Sequence, residues 1–270
     1  MTIARGNGSA PVVTVGVSLK MYFGHGRTIA WCREVAELAT AHEAVAAGIV
    51  ELFVIPDFVS LADASRQLAG SRVVLGAQDL AEEDQGAFTG EVSGSVLREV
   101  GCRVVEVGHA ERRRLFSESD EVVARKASAA LRNDLSPVLC IGEGERGNPA
   151  DAAAECRRQL ESALTGAPDG RVIVAYEPVW AIGATEPADP EYIRAVCAAL
   201  GDTVRGWSGR DGSVVIYGGS AGPGLLTRLG GDADGLFLGR FAHDPAALRS
   251  VLDEAASLAT ARAAGIGADR

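Results

Sequence analysis

The sequence predicts an α/β protein built as a single (β/α)8 barrel, in which eight parallel strands close into an inner sheet covered by helices. Short β-branched runs alternate with longer stretches rich in Ala, Leu, Arg and Glu, which is typical of a parallel sheet under helices. Eight such units fit into 270 residues, the usual size of one such barrel. An open doubly wound sheet is the alternative architecture.

The strand candidates are short and apolar, as expected for strands buried on both faces. They are Val12–Ser18, Val50–Ile55, Arg72–Leu75, Val104–Val107, Ser136–Ile141, Val172–Tyr176, Val214–Tyr217 and Gly235–Leu238. The helical patterns between them include Arg27–Ala47, Glu121–Asn133, Asp151–Leu164, Asp189–Val204 and Pro245–Ala259. Acidic caps and a first-turn proline mark helix starts, and such residues stand at Asp120, Asp151 and Asp244-Pro245.

The domain organisation follows from the absence of any internal linker or break in composition. We expect one barrel domain over residues 12–258, preceded by a flexible arm over residues 1–11 and followed by a tail over residues 259–270. The chain is 47% hydrophobic and 23% charged, so it can bury a sizeable core.

Charge and cysteine usage exclude several classes of function. The formal net charge of -10 argues against a general nucleic-acid or membrane-surface role, which would need a basic face. No apolar run is long enough for a transmembrane helix. The five cysteines are widely spread, with no CxxC or Cys/His cluster. They predict reduced, buried thiols in the cytoplasm and no metal site.

Residues that directly follow the strand candidates are the candidates for chemistry, because active sites of such barrels lie at the carboxyl ends of the strands. Lys20, one of only two lysines, follows the first strand, His109 the fourth and Glu177 the sixth. Glycine-rich turns, Gly218-Gly219-Ser220 and Gly239-Arg240, follow the seventh and eighth. There barrels often bind phosphate through backbone N–H groups.

Together these residues predict aldose–ketose isomerisation of a small sugar phosphate without a cofactor or metal. A carboxylate can take a proton from the carbon beside a carbonyl, and an imidazole and an ammonium can stabilise the enediolate that results. Each residue alone also fits a solvent-facing strand end or an ordinary turn. Two alternatives stay open, a Schiff-base aldolase that uses Lys20 and a non-catalytic phosphate-binding relative.

Several long motifs in order give the chain a family resemblance from about Val12 to about Leu258. They are Ala175–Gly183 (AYEPVWAIG), Val107–Arg113 (VGHAERR), Gly86–Glu91 (GAFTGE), Cys140–Glu143 (CIGE) and Tyr217–Ser220 (YGGS). In these motifs the sequence resembles the triosephosphate isomerase family, which implies a TIM barrel and no cofactor.

The resemblance also implies residue roles. Glu177 matches the general base, and His109 matches the electrophile at the substrate oxygens. Lys20 would stabilise the developing negative oxygen and pair with Glu111, which orients its loop. The expected substrate-binding residues are Ser18, Gly183, Ser220, Gly239 and Arg240. By contrast, Arg112 and Arg113 are interpreted as structural or interface residues, Cys140 as a packed thiol, and Lys126 has no assigned role.

Two further segments match the family. A mobile lid is expected over Pro178, Val179, Trp180, Ala181, Ile182, Gly183, Ala184 and Thr185. Its far end, through Pro187-Ala188, departs from the usual Thr-Gly-Lys type, and Pro187 should stiffen it. The Gln78–Thr89 segment resembles the interdigitating loop of a homodimer, although an ordinary surface loop is the alternative.

Two departures fall at the expected substrate site. The family normally has Asn and Trp before the catalytic Lys, where this chain has Ser18 and Leu19, and Gly-Gly after the eighth strand, where it has Gly239-Arg240. Serine leaves more room, and Arg240 adds a cation. Both features resemble a branch of the family that interconverts L-erythrulose 1-phosphate and D-erythrulose 4-phosphate in erythritol breakdown. The alternative substrate pair is dihydroxyacetone phosphate and glyceraldehyde 3-phosphate, as in glycolysis.

Overall fold

A computed structural model describes residues 13–264, which form a closed parallel barrel. The strands are β1 (Val13–Ser18), β2 (Val50–Ile55), β3 (Val74–Ala77), β4 (Val104–Val107), β5 (Ser136–Ile141), β6 (Ile173–Tyr176), β7 (Val214–Tyr217) and β8 (Gly235–Leu238). Each strand pairs in parallel with the next in the chain, and β8 pairs with β1, Val15 lying opposite Leu236. The predicted barrel is confirmed, and the open-sheet alternative is wrong.

Helices cover the outside of the barrel. They are α1 (His25–Ala41), α2 (Glu43–Ala46), α3 (Leu61–Leu68), α4 (Gly94–Val100), α5 (Ala110–Phe116), α6 (Asp120–Arg132), α7 (Pro149–Leu164), α8 (Pro190–Arg205), α9 (Leu225–Leu229) and α10 (Pro245–Ala263). Single 3₁₀ turns occur at Phe58–Ser60, Val179–Ala181 and Arg240–His243. No helix within residues 13–264 is long and apolar enough to cross a membrane.

Element boundaries differ from the predicted ones at a few places. Strand β3 begins at Val74 and not at Arg72, because its pairing with β2 starts where Val74 lies opposite Phe53. The single helix predicted over residues 27–47 is two helices, since the chain becomes extended at His42. The short helices α3, α4, α5 and α9 were not predicted, because five to eight residues carry too little periodic pattern.

Two predicted helix starts are displaced. The N-cap of α6 is Ser119, whose hydroxyl accepts a hydrogen bond from the backbone N–H of Val122. The N-cap of α7 is Asn148, which accepts from the N–H of Asp151. Asp120 and Asp151 instead occupy the first turn, where a carboxylate favours the positive end of the helix dipole. The third prediction is confirmed, because Asp244 caps α10.

The two ends of the chain meet the predicted domain limits differently. Helix α10 continues to Ala263, past the predicted start of the tail at residue 259, because Ala259 is still buried in the core. The predicted arm over residues 1–11 and the last six residues of the predicted tail lie outside the described part of the chain.

The core has two layers that follow the alternation of side chains along each strand. One set of strand residues points outward and packs against the helices. The other points into the barrel, and its buried members include Phe53, Ile55, Val104, Val138, Cys140, Ile173, Ala175, Ile216 and Phe237. Gly16 is needed here, because a Cβ at this position would overlap the Phe53 ring. All five cysteines are buried and unpaired with one another.

Candidate active site

A cavity of about 460 Å³ opens at the carboxyl ends of the strands. Its lining includes all nine predicted catalytic and substrate-binding residues, namely Ser18, Lys20, His109, Glu111, Glu177, Gly183, Ser220, Gly239 and Arg240. Ile182, Ala184 and Thr185, from the segment predicted to be a lid, line one side of it. Residues taken from six separate segments of the sequence therefore meet in one place.

Glu177 follows β6 in phase with the inward-facing Ile173 and Ala175, so its side chain points into the barrel. It is buried, and its Oε2 has no hydrogen-bond partner among the described residues. Burial, with the nearby Glu106, raises the pKa of Glu177 to about 8. Gly218 leaves space for this carboxylate, because a Cβ at residue 218 would stand only 2.7 Å from the Glu177 Cγ. A free, buried carboxylate of raised pKa is suited to take up a proton.

His109 caps α5, and its ring orientation fixes its tautomer. The backbone N–H of Glu111 donates to His109 Nδ1 at 3.1 Å, so Nδ1 is an acceptor and the proton lies on Nε2. That Nε2 is 3.3 Å from Glu177 Oε2. Burial, reinforced by the charge of Lys20, lowers the pKa of His109 to about 4. His109 is therefore a neutral N–H donor that faces the cavity at ordinary pH.

Lys20 is held at the mouth of the barrel in an unusual backbone conformation, with a φ of 47°. The Gln78 side-chain amide donates to the Lys20 carbonyl at 2.8 Å, and Lys20 Nζ lies 2.8 Å from Glu111 Oε1. Burial alone would lower the pKa of Lys20, but the Glu111 hydrogen bond and the Glu177 charge raise it overall. Lys20 therefore presents a permanent positive charge to the cavity.

The loops after β6, β7 and β8 form the opposite side of the cavity. Gly183 has a φ of 73° and Ser220 a φ of 54°. The Ser220 hydroxyl donates to the carbonyls of Ala181 and Ala184, both at 2.9 Å, so it contacts the lid. Arg240 is exposed at the cavity edge.

Both ends of the segment predicted to be a lid are held by hydrogen bonds, one of them to Glu143, to which sequence reasoning gave no role. Glu143 is buried and accepts a hydrogen bond from Trp180 Nε1 at 2.8 Å and from the Tyr192 hydroxyl at 2.9 Å. At the far end the backbone N–H of Ala188 donates to the Tyr217 hydroxyl at 3.1 Å. The sequence signal for a role of Glu143 was its position in the family-like motif Cys140–Glu143.

Glu106 is the site residue that sequence reasoning missed. It lies within β4 in phase with the inward-facing Val104, is only 4% exposed and accepts a hydrogen bond from Ser18 Oγ at 2.9 Å. Its Oε1 is 3.9 Å from His109 Nε2. The available signal was the acidic residue within the four-residue strand Val104–Val107. Acidic residues are rarely buried in a strand unless they have a partner there.

The segment from Gln78 to Thr89 is tied to its own barrel by buried charges. Lys126 Nζ lies 2.7 Å from Asp79 Oδ1 and 2.6 Å from Glu118 Oε1, and Arg112 also pairs with both acids. Arg113 contacts the Gly108 carbonyl and Asp120. These contacts give Lys126 and Arg112 structural positions. Nowhere in residues 13–264 do three or more His, Cys, Asp or Glu side chains gather as a metal site would require.

Comparison with known proteins agrees with this geometry. A sequence model of the triosephosphate isomerase family matches residues 13–255. The chain belongs to the triosephosphate isomerase family. The solved triosephosphate isomerase of Bartonella henselae superposes on it with a TM-score of 0.75 at 26% identity, over 90% of this chain and 98% of that one.

Curated relatives in this family carry two different names. The chain is 52% identical to the L-erythrulose-1-phosphate isomerase of Pectobacterium atrosepticum, over 93% of this chain and 99% of the relative. It is 41% identical to the protein of the same name from Rhizobium etli, over 86% and 88%. It is 43% identical to the triosephosphate isomerase of Symbiobacterium thermophilum, over 77% and 84%.

Proposed function

We propose that this protein is a cofactor-independent sugar-phosphate isomerase that interconverts L-erythrulose 1-phosphate and D-erythrulose 4-phosphate. The observation that carries the proposal is the meeting, in one cavity, of a free buried carboxylate, a neutral imidazole N–H and an ammonium. The four-carbon substrate is supported by the 52% identity to a relative of that name and by Ser18 and Arg240 in the cavity lining.

The reaction moves a carbonyl by one carbon. In L-erythrulose 1-phosphate the carbonyl is at C2 and a hydroxyl at C3. Glu177 takes the proton from C3, and the electron pair forms an enediolate across C2 and C3. Glu177 then returns the proton to C2, the proton of the C3 hydroxyl passes to the C2 oxygen, and the carbonyl forms at C3. The product is D-erythrulose 4-phosphate when the chain is renumbered. No atom is gained or lost, and the base is regenerated.

His109 and Lys20 lower the energy of the enediolate. The His109 Nε2–H donates to the two reacting oxygens in turn, and its low pKa keeps it neutral. Lys20 lies beside the developing negative oxygen as a charge already in place, so little reorganisation accompanies the reaction. Glu111 holds the Lys20 ammonium in position.

The phosphate end of the substrate is assigned to the loops after β6, β7 and β8. The backbone N–H groups of Gly183, Ser220 and Gly239 would bind the phosphate oxygens, and the exposed Arg240 guanidinium would add a charged contact. With the lid over the cavity, water is excluded and the enediolate is protected from loss of phosphate.

Steady-state assays of kcat/KM for L-erythrulose 1-phosphate and for dihydroxyacetone phosphate test this proposal. We expect a preference of at least tenfold for the four-carbon substrate. A clear preference for the triose phosphate would favour the second candidate, triosephosphate isomerase, the name of the 43% identical relative. Phosphate-ester binding without turnover of either would indicate a non-catalytic relative, and borohydride trapping on Lys20 an aldolase.

We also propose a cytoplasmic homodimer that pairs through the Gln78–Thr89 loop. Phe88 within this loop is 49% exposed and Met21, next to Lys20, is 93% exposed, so both apolar side chains are available for contact with a partner. In the dimer the loop would brace the partner's Lys20 region. Light scattering coupled to gel filtration should give twice the 27.9 kDa chain mass. The Phe88→Glu variant should give a monomer of much lower activity.

A further inference from the structure

Ser18 and Glu106 form a buried polar pair across the floor of the cavity. They lie on β1 and β4, strands that are not neighbours in the sheet, yet Ser18 Oγ is 2.9 Å from Glu106 Oε2. Both are almost fully buried, at 3% and 4% exposure. Ser18 lines the cavity while Glu106 lies behind it. Two polar side chains buried in the barrel interior need a reason, because burying them is costly.

The hydrogen bond between them has a fixed direction when Glu106 is ionised. An ionised carboxylate can only accept, so the Ser18 hydroxyl proton points to Glu106. The two lone pairs of Ser18 Oγ are then left for the cavity. Burial raises the pKa of Glu106 to about 7, while Lys20 and the Ser18 hydrogen bond oppose this rise. Above that pH, Ser18 is therefore an acceptor toward any ligand.

The pair also lies beside the reacting groups. Glu106 Oε1 is 3.9 Å from His109 Nε2, and the same Nε2 is 3.3 Å from Glu177 Oε2. Ser18 ends β1, next to β8 and the Gly239–Arg240 loop, but its hydroxyl points across the barrel to Glu106 on β4. A substrate group that contacts this hydroxyl on the side of Glu106 and His109 would belong to C3, the carbon that gives its proton to Glu177, and not to the phosphate end.

The proposed four-carbon substrate carries an extra group at that carbon. L-erythrulose 1-phosphate is dihydroxyacetone phosphate with one hydrogen of its hydroxymethyl carbon replaced by a second hydroxymethyl. This added CH₂OH needs both room and an acceptor for its hydroxyl proton. The small Ser18 side chain provides the room, and its oriented lone pairs provide the acceptor.

We infer that Ser18 binds the terminal hydroxyl of the four-carbon substrate and that Glu106 is the positioning residue that orients Ser18 as an acceptor. The inference rests on the proposed function and adds a determinant of substrate choice to it. A pair that only stabilised the barrel would affect all substrates alike.

The test compares three substrates at pH 8: L-erythrulose 1-phosphate, its analogue without the terminal hydroxyl (1,3-dihydroxybutan-2-one 1-phosphate), and dihydroxyacetone phosphate. For Ser18→Ala we expect the ratio of kcat/KM for L-erythrulose 1-phosphate over the deoxy analogue to fall about tenfold, the usual net effect of one hydrogen bond. Glu106→Gln should lower the same ratio, because a glutamine amide can donate to Ser18 and reverse its orientation. In both variants the ratio of kcat/KM for L-erythrulose 1-phosphate over dihydroxyacetone phosphate should fall as well.

Matched controls come from a polar pair at the amino end of the barrel, on β1 and β2. Thr14→Val and Glu51→Gln remove a buried hydroxyl and a carboxylate that hydrogen-bond to each other, far from the cavity. Both should leave the substrate ratios unchanged. The ratio of two kcat/KM values measured on one variant does not depend on the fraction of that variant that is folded. It therefore stays interpretable if Glu106→Gln folds poorly, and Ser18→Ala tests the same inference independently.

The outcomes separate the two proposals. Equal losses on all three substrates, or unchanged ratios, would overturn the role of the pair while leaving the four-carbon activity intact. No turnover of L-erythrulose 1-phosphate by the unaltered protein would overturn the proposed function, and the subsite with it.

Discussion

The two ends of the barrel treat buried polar groups in opposite ways. At the amino end of the strands, Thr14 donates to Glu51, and Arg171 binds both oxygens of Glu51, at 2.7 and 2.5 Å. At the carboxyl end, one buried oxygen of Glu177 has no hydrogen-bond partner among the described residues. Glu106 lies close enough to raise the pKa of Glu177. The amino end satisfies the charge of Glu51, whereas the carboxyl end leaves one oxygen of the buried Glu177 carboxylate without a hydrogen bond within residues 13–264.

Unusual backbone conformations also occur at the carboxyl end of the barrel. Two of the four non-glycine residues with positive φ in the described chain, Lys20 and Ser220, lie in the cavity. Unsatisfied charge and strained backbone destabilise a fold unless the surrounding structure holds them in place. The difference indicates that the carboxyl end serves chemistry and the amino end serves stability, which can be tested with paired substitutions.

The largest expected effect is that of Glu177→Gln. Because the amide cannot accept the substrate proton, kcat should fall about 10³- to 10⁴-fold. The melting temperature should stay the same or rise, because a buried carboxylate with a free oxygen is replaced by a neutral group. Kinetics and thermal unfolding measured together check this. Residual activity above about one percent would contradict the assigned base.

A pair of glycines gives the next largest contrast. In Gly218→Ala the new methyl would overlap Glu177 Oε1, so kcat/KM should fall about 10- to 100-fold with little loss of stability. In Gly235→Ala it would overlap the backbone carbonyl of Thr14 at the amino end, so the free energy of unfolding should fall by about 2 kcal/mol or more. Gly231→Ala, where a Cβ meets nothing within 4 Å, is the control for both.

The Arg171–Glu51 pair tests the amino end alone. Arg171→Ala leaves a largely buried carboxylate without its two charged hydrogen bonds, and should lower the free energy of unfolding by about 2 kcal/mol. The kcat/KM value should stay within about twofold. The control is Arg205→Ala, whose pair with Asp202 is exposed and contributes about 0.5 kcal/mol or less. Denaturant unfolding of both variants distinguishes them, and equal losses would contradict the difference in burial.

The smallest expected effect is a shift in pH dependence. Glu177 must be ionised to act as a base, and its pKa is raised to about 8, so kcat/KM should be high above that pH and fall as the pH drops through it. Burial and Glu106 raise this pKa, so Glu106→Gln should move the acid limb to lower pH. His109, with its pKa near 4, should add no limb above pH 5. An unmoved limb in Glu106→Gln would mean that the two carboxylates do not interact.

Much of the molecule could be predicted from local sequence patterns. Seven of the eight strands start and end within one residue of their predicted limits, because apolar runs of this kind are typical of buried parallel strands. Val50–Ile55 and Ser136–Ile141 match their predicted limits fully. The rim residues could be found because the carboxyl end of each strand is itself visible in the sequence. The short helices and the caps Ser119 and Asn148 were missed, since several nearby polar residues can serve as a cap.

The sequence by itself determined the (β/α)8 barrel, the family and the identity of Lys20, His109 and Glu177 at its mouth, because strand alternation and long motifs are local properties. Only the tertiary structure decided which groups meet across the barrel. The tautomer of His109, the free oxygen of Glu177 and the Ser18–Glu106 contact, made over a separation of 88 residues, depend on distances between strands. Closure of the sheet sets these distances, and no pattern within a single strand contains them.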